Sequence, residues 1–146
     1  MKKLIQLSSF LLLFFYGCND ADNTTTQSEN DIDAARNFIR AALDGEYEKG
    51  KELLVSDSTN FQYFEEYEKS HVKMNAEEKK LYKNSSINVH GVTPVNDSTT
   101  IIVYSNSYKN DHDTLKLMRI QGQWMVDLKY LFNHDMDTLM NNLKQN

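Results

Sequence analysis

The apolar periodicity of residues 31–132 switches once, near Asn84, and that switch decides the fold class. Upstream, Ile32, Ala35, Phe38, Ile39, Ala42 and Leu43 recur at three- and four-residue spacing, which marks one apolar face of a helix. Ser28-Glu29-Asn30-Asp31 supplies N-cap side chains ahead of it. Gly45 closes it, because only glycine enters the left-handed turn after a helix cheaply. A second, short helix is expected over residues 46–55, with Tyr47, Leu53 and Leu54 inward. Residues 56–60 read as a turn. Phe61, Phe64, Tyr67, His71 and Met74 then carry helical spacing toward Leu81, with a break near Asn75. Glu77-Glu78-Lys79-Lys80 reads as a solvated face.

Downstream the period becomes two, the mark of half-buried strands. Ile87, Val89 and Val92 make a first strand, which Thr93-Pro94 is expected to end; the single Pro should lie outside strands. Residues 99–109 make a second, with Ile101, Val103 and Ser105 on one side and Ile102, Tyr104 and Tyr108 on the other. Residues 114–120 and 123–130 form a hairpin across Gln121-Gly122. Helices first and then an antiparallel meander is an α+β order. The expected architecture is N-terminal helices packed on a curved antiparallel sheet of about four strands, occupying residues 31–132. Residues 133–146 carry Met136, Leu139, Met140 and Leu143 at helical spacing and form an amphipathic helix or a tail.

The start of the chain has a different character. Lys2 and Lys3 precede an apolar stretch, residues 4–16, and Gly17-Cys18 follows. This is a secretory signal layout. As a helix that stretch spans only about 20 Å, against the ~30 Å hydrocarbon core of a bilayer. Phe15-Tyr16-Gly17-Cys18 resembles the lipobox of bacterial lipoproteins, although Leu is commoner at Phe15 and a small residue at Tyr16. The resemblance implies that residues 1–17 are a lipoprotein signal peptide and that Cys18, acylated with fatty acids of the palmitate kind, begins the mature chain. One acyl chain alone gives only marginal membrane binding. Removing residues 1–17 takes Lys2 and Lys3 away and moves the net charge from −5 to −7. Residues 18–30 are polar and acidic, unable to bury enough surface to fold, and read as a flexible tether. The expected place is the envelope of a Gram-negative bacterium, lipid-anchored at the outer membrane.

Two segments of the body also resemble a known superfamily. Phe38-Ile39-Arg40-Ala41-Ala42-Leu43-Asp44-Gly45-Glu46-Tyr47, running on to Leu53-Leu54, is similar to the opening of nuclear transport factor 2-like domains. Residues 119–127, with Gly122-Gln123-Trp124, are similar to their last hairpin. The superfamily includes SnoaL-like and ketosteroid-isomerase-like proteins, and the subgroup that this chain most resembles is a lipoprotein family labelled lumazine-binding-like. The resemblance implies a cone-shaped domain of the broader cystatin-like kind. It implies little about activity, because this fold hosts enzymes and inert binding modules alike.

Chemistry-bearing motifs are sparse. The negative charge argues against nucleic acid, which requires clustered Lys and Arg. There is no glycine-rich phosphate loop, no Gly-x-Ser-x-Gly elbow, and the sole Cys is spent on the anchor. His71, His90, His112 and His134 contain no pair within five residues, so no metal and no cofactor are expected. Catalytic superfamily members use a pocket Asp with a Tyr donor. No matched motif places an acid here, and Asp127, alternating with Val126 and Leu128, should face away from their side. No catalytic residue is therefore assigned. Asp57-Ser58-Thr59, Asp97-Ser98-Thr99, Asp113-Thr114-Leu115 and Asp137-Thr138-Leu139 resemble an envelope O-glycosylation sequon, though Asp-Ser and Asp-Thr are also ordinary turn and cap pairs.

The expected function is a non-catalytic domain that binds a small ligand or an envelope protein, with a pocket lined by Phe38, Phe64, Tyr67, Tyr104, Tyr108 and Trp124. If Phe38, Phe64 and Trp124 fill the cone, a protein partner fits better, through a sheet face bearing Lys116, Arg119 and Lys129. A homodimer through the sheet is a third arrangement. The alternative is a small isomerase or dehydratase, for which a carboxylate must stand opposite a Tyr hydroxyl inside the pocket.

Overall fold

The computed structural model describes residues 28–131. The signal segment, Cys18, most of the tether and residues 132–146 lie outside the described residues. Four helices come first: α1 Asp31–Asp44, α2 Tyr47–Glu52, α3 Ser58–Val72 and α4 Ala76–Lys83. Four strands follow: β1 Ile87–Asn96, β2 Thr99–Asn106, β3 Asp113–Ile120 and β4 Gln123–Asp127. The sheet is open and wholly antiparallel, in the order β1-β2-β3-β4. The architecture is α+β, with helices packed against one face of the sheet.

Local chemistry sets the helix ends. The Asn30 side chain accepts from the Asp33 amide, and Gly45 adopts φ 76° to terminate α1. Asn75 and Glu78 form a reciprocal capping box that starts α4. Glu78 is thus half-buried and engaged, where the sequence reads only a solvated face. Gln121 (φ 51°) and Gly122 (φ 86°) turn β3 into β4 with two left-handed residues, the geometry that matches strand twist.

Four sequence expectations require correction. The second helix stops at Glu52, not Val55, because Leu54 leaves to bridge Val126 in parallel at the edge of β4. The 56–60 turn is shorter, since Asp57 already caps α3 through the Asn60 amide. Pro94 lies inside β1, paired with Thr100, where the sequence places it beyond the strand. An edge strand tolerates the missing N–H, and the register shifts between Pro94 and Asn96. The second and fourth strands end at Asn106 and Asp127, short of Lys109 and Tyr130.

The core is one cluster in which Ala35, Phe38, Ile39 and Leu43 of α1 meet Phe64 of α3 and Ile102, Leu115, Leu117 and Val126 of the inner sheet face. Two polar latches close it. The buried Asn60 donates to the Val55 carbonyl at 3.2 Å, and its Oδ1 accepts the Leu128 amide at 2.8 Å, which ties α3 to the end of β4. Arg40 donates to the carbonyls of Lys83 (2.9 Å) and Ser85 (2.6 Å), so α1 holds the C-terminal end of α4.

Candidate functional site

Between α1, α3, α4 and the inner sheet face lies a partly enclosed cavity of about 180 Å³. Phe38 and Ala42 reach it from α1, Tyr63, Phe64 and Tyr67 from α3, and Tyr82 from α4. Tyr104, Asn106, Asp113 and Leu115 come from β2 and β3, and Lys109 from the loop between them. The wall is mostly apolar with a few polar groups, the usual make-up of a small-molecule site. The volume lies below the ~300–1,000 Å³ of drug-sized pockets. It is close to the ~150 Å³ at which an engineered apolar cavity accepts benzene.

Four of the six aromatics named from the sequence line it: Phe38, Phe64, Tyr67 and Tyr104. Two do not. Tyr108 lies beyond the end of β2 and packs its ring on Tyr82 at 4.8 Å, 40% exposed. Trp124 pairs with Arg119 next to the β3–β4 turn, whereas the strand residues that line the cavity, Tyr104, Asn106, Asp113 and Leu115, lie toward the other end of β2 and β3. Both errors share a cause. Alternation gives the face of a sheet, and distance along the sheet decides what reaches a local hollow. Tyr63 lines it too, and so does Tyr82, which the sequence reading left out although the helical spacing of α4 contains it.

The aromatic wall is a connected stack. Phe38 meets Phe64 at 5.4 Å, Phe64 stacks on Tyr67 at 5.8 Å, and Tyr67 stacks on His71 at 5.9 Å. The Tyr67 hydroxyl donates to the Ala42 carbonyl at 2.8 Å, and burial raises its pKa. Behind it, the buried His71 shares a 2.6 Å hydrogen bond between Nδ1 and the Tyr47 hydroxyl, while its Nε2 has no partner among the described residues. Burial, then the nearby Lys79, lowers the His71 pKa, so the ring is neutral at pH 7.

Tyr104 and Asp113 are register partners on β2 and β3, and both line the cavity. Burial, then the Asp113 charge, raises the Tyr104 pKa, so its hydroxyl stays protonated. An acid and a Tyr donor are therefore adjacent in the wall, an arrangement the sequence reading did not assign. Asp127, by contrast, pairs with Lys116 on the opposite sheet face from the core residues Leu117 and Val126.

The basic patch expected for a protein partner does not form as drawn. Lys116 is within 3.5 Å of Asp127, and Lys129 within 2.6 Å of Asp57 and 3.7 Å of Asp127. Arg119, an odd number of residues from Lys116 on β3, belongs to the other face. Of the sequon residues, Ser58 (start of α3) and Ser98 (turn between β1 and β2) are exposed; Thr114 is half-buried within β3, and Thr138 lies outside the described residues. Among the described residues no helix is long and apolar enough to cross a membrane.

No family model, no curated protein and no solved structure matches this chain. The functional reading therefore rests on the cavity and on the sequence.

Proposed function

We propose that this chain is a lipid-anchored cell-envelope protein of a Gram-negative bacterium, acylated at Cys18, whose domain binds one small, largely apolar molecule without transforming it. The observation that carries the reading is the cavity of about 180 Å³, which Phe38 and Phe64 line and leave unfilled. An empty apolar hollow of this size forfeits dispersion contacts, so a single-ring guest regains them. The helices laid on one face of a four-stranded sheet accord with the nuclear transport factor 2-like resemblance, which we propose as the fold family.

The test is a titration of the protein with single-ring probes, toluene and p-cresol, followed by thermal shift and calorimetry. Ala42→Leu adds a side chain into the hollow. The expected result is saturable binding by the wild type and at least tenfold weaker binding by Ala42→Leu, with the fold intact by circular dichroism. Equal affinity in both proteins refutes the reading. The anchor is tested separately: Cys18→Ser should release the protein from the membrane fraction, and unchanged association refutes acylation.

The second reading, an isomerase or dehydratase, is favoured by one observation, the pairing of Asp113 with Tyr104 in the cavity wall. A carboxylate base beside a protonated Tyr donor suits proton abstraction next to a carbonyl. Deuterium exchange into cyclopentanone in heavy water, lost in Asp113→Asn, would support it; a rate equal to buffer alone rejects it for this substrate class.

A further inference from the structure

On the sheet face away from the cavity, the fold brings together two histidines that lie far apart in the sequence. His90 sits in β1 where the register shifts between Val89 and Gly91, a bulge. A bulge re-aims the side chain it carries. His112 lies immediately before β3. Their ring centres are 4.2 Å apart, tilted by 45°. Behind them, Ser105 is 1% exposed, and its Oγ is 2.8 Å from His90 Nε2. With Nε2–H donating to that hydroxyl, the tautomer is set and Nδ1 carries the free lone pair. Metal-binding histidines are typically held this way, the second nitrogen donating to a fixed partner.

We propose that His90 and His112 form a surface site for a divalent transition metal, copper(II) in preference to zinc, with water completing the coordination. Two imidazole nitrogens about 2.0–2.1 Å from one ion put the ring centres roughly 4.5 Å apart at a right angle and roughly 5.2 Å apart at a tetrahedral angle. The observed 4.2 Å lies nearer the right angle. Right-angle nitrogen and oxygen sets suit copper(II), which also heads the divalent affinity order. Among the described residues no group of three His, Cys, Asp or Glu side chains could hold an ion. The site is therefore two imidazoles and solvent, open to exchange. Ser105 acts as a positioning residue and does not touch the metal.

The test is a titration of the full-length chain in detergent with copper(II) and with zinc, combined with electron paramagnetic resonance. The wild type should bind one copper, show hyperfine splitting from two nitrogens, and hold zinc at least tenfold more weakly. His90→Gln and His112→Gln should each weaken copper at least tenfold and leave one nitrogen in the spectrum. Ser105→Ala should weaken copper threefold or more while both nitrogens persist. His134→Gln should change nothing. Copper affinity unchanged in either His90→Gln or His112→Gln overturns the site. Zinc bound as tightly as copper overturns the right-angle geometry. Both histidines are exposed, so these variants should fold, as circular dichroism will verify.

Discussion

Among the glycines described, Gly50 leaves the least room for a Cβ, and its replacement by Ala is the sharpest test of the cavity wall. A Cβ at Gly50 would stand 2.4 Å from Phe64 Cζ and 2.9 Å from Cε1. Comfortable carbon–carbon contact begins near 3.5 Å, so the ring must retreat by about 1 Å. Phe64 is 1% exposed, with Phe38, Tyr47 and Tyr67 around it, and the open direction is the cavity itself. Overpacking of this kind costs about 1–3 kcal/mol. Ala returns up to about 1 kcal/mol through helix propensity. The net expectation for Gly50→Ala is a loss of about 1–2 kcal/mol. Read by urea unfolding with slopes of ~1–3 kcal/mol/M, that is a midpoint lowered by roughly 0.3–2 M. The displaced ring also enters the ligand volume, so probe affinity should fall in the same variant. Gly91→Ala is the control of opposite sign. Its nearest neighbour is Val103 Cβ at an ordinary 4.0 Å, and Ala in a strand gains about 0.5–1 kcal/mol over Gly. Gly50→Ala matching or exceeding wild-type stability would refute the confinement of Phe64.

Other perturbations follow from the same contacts. Asn60→Ala leaves the Leu128 amide without its partner, while the Val55 carbonyl keeps the Asp57 amide, and should cost about 1–3 kcal/mol by denaturant titration; a loss under about 0.5 kcal/mol would show that the latch is dispensable. His71 has a folded pKa below its unfolded value, so the unfolded chain takes up the proton first as pH falls. Stability should hold above pH ~6.5 and decline below it, and His71→Gln should flatten the difference between pH 7.5 and 5.5; identical profiles would remove His71 as the cause. Asp57 is held below its usual pKa chiefly by its bond to Lys129, then by the Asn60 amide, so its contribution should disappear only as pH falls through the lower carboxylate range, and Lys129→Met should shrink that step, leaving the part that the Asn60 amide sustains. Tyr108→Ala and Trp124→Phe should leave probe affinity within twofold, because neither side chain lines the cavity; a tenfold drop in either would mean that the hollow extends further than its walls indicate.

What the amino-acid order determined by itself was local. Asn30, Gly45, Asn75 and the Gln121-Gly122 pair end or start elements through contacts within a few residues, so α1, the break before α4 and the last hairpin could be read directly. Helical spacing likewise identified Phe38, Phe64 and Tyr67 as inward-facing. Tertiary structure decided whatever depends on register and on position along the sheet. Pro94 is acceptable in β1 only because β1 is an edge, and Leu54 leaves its helix only because Val126 is there to receive it. Tyr104 and Asp113 become neighbours, and Trp124 and Tyr108 fall outside the hollow, through strand pairing that no short window contains. His90 and His112 meet for the same reason, aided by one extra residue in a strand. Caps and periodicity act over one or two turns of backbone, whereas a site is assembled by groups that only the paired strands and packed helices bring within reach.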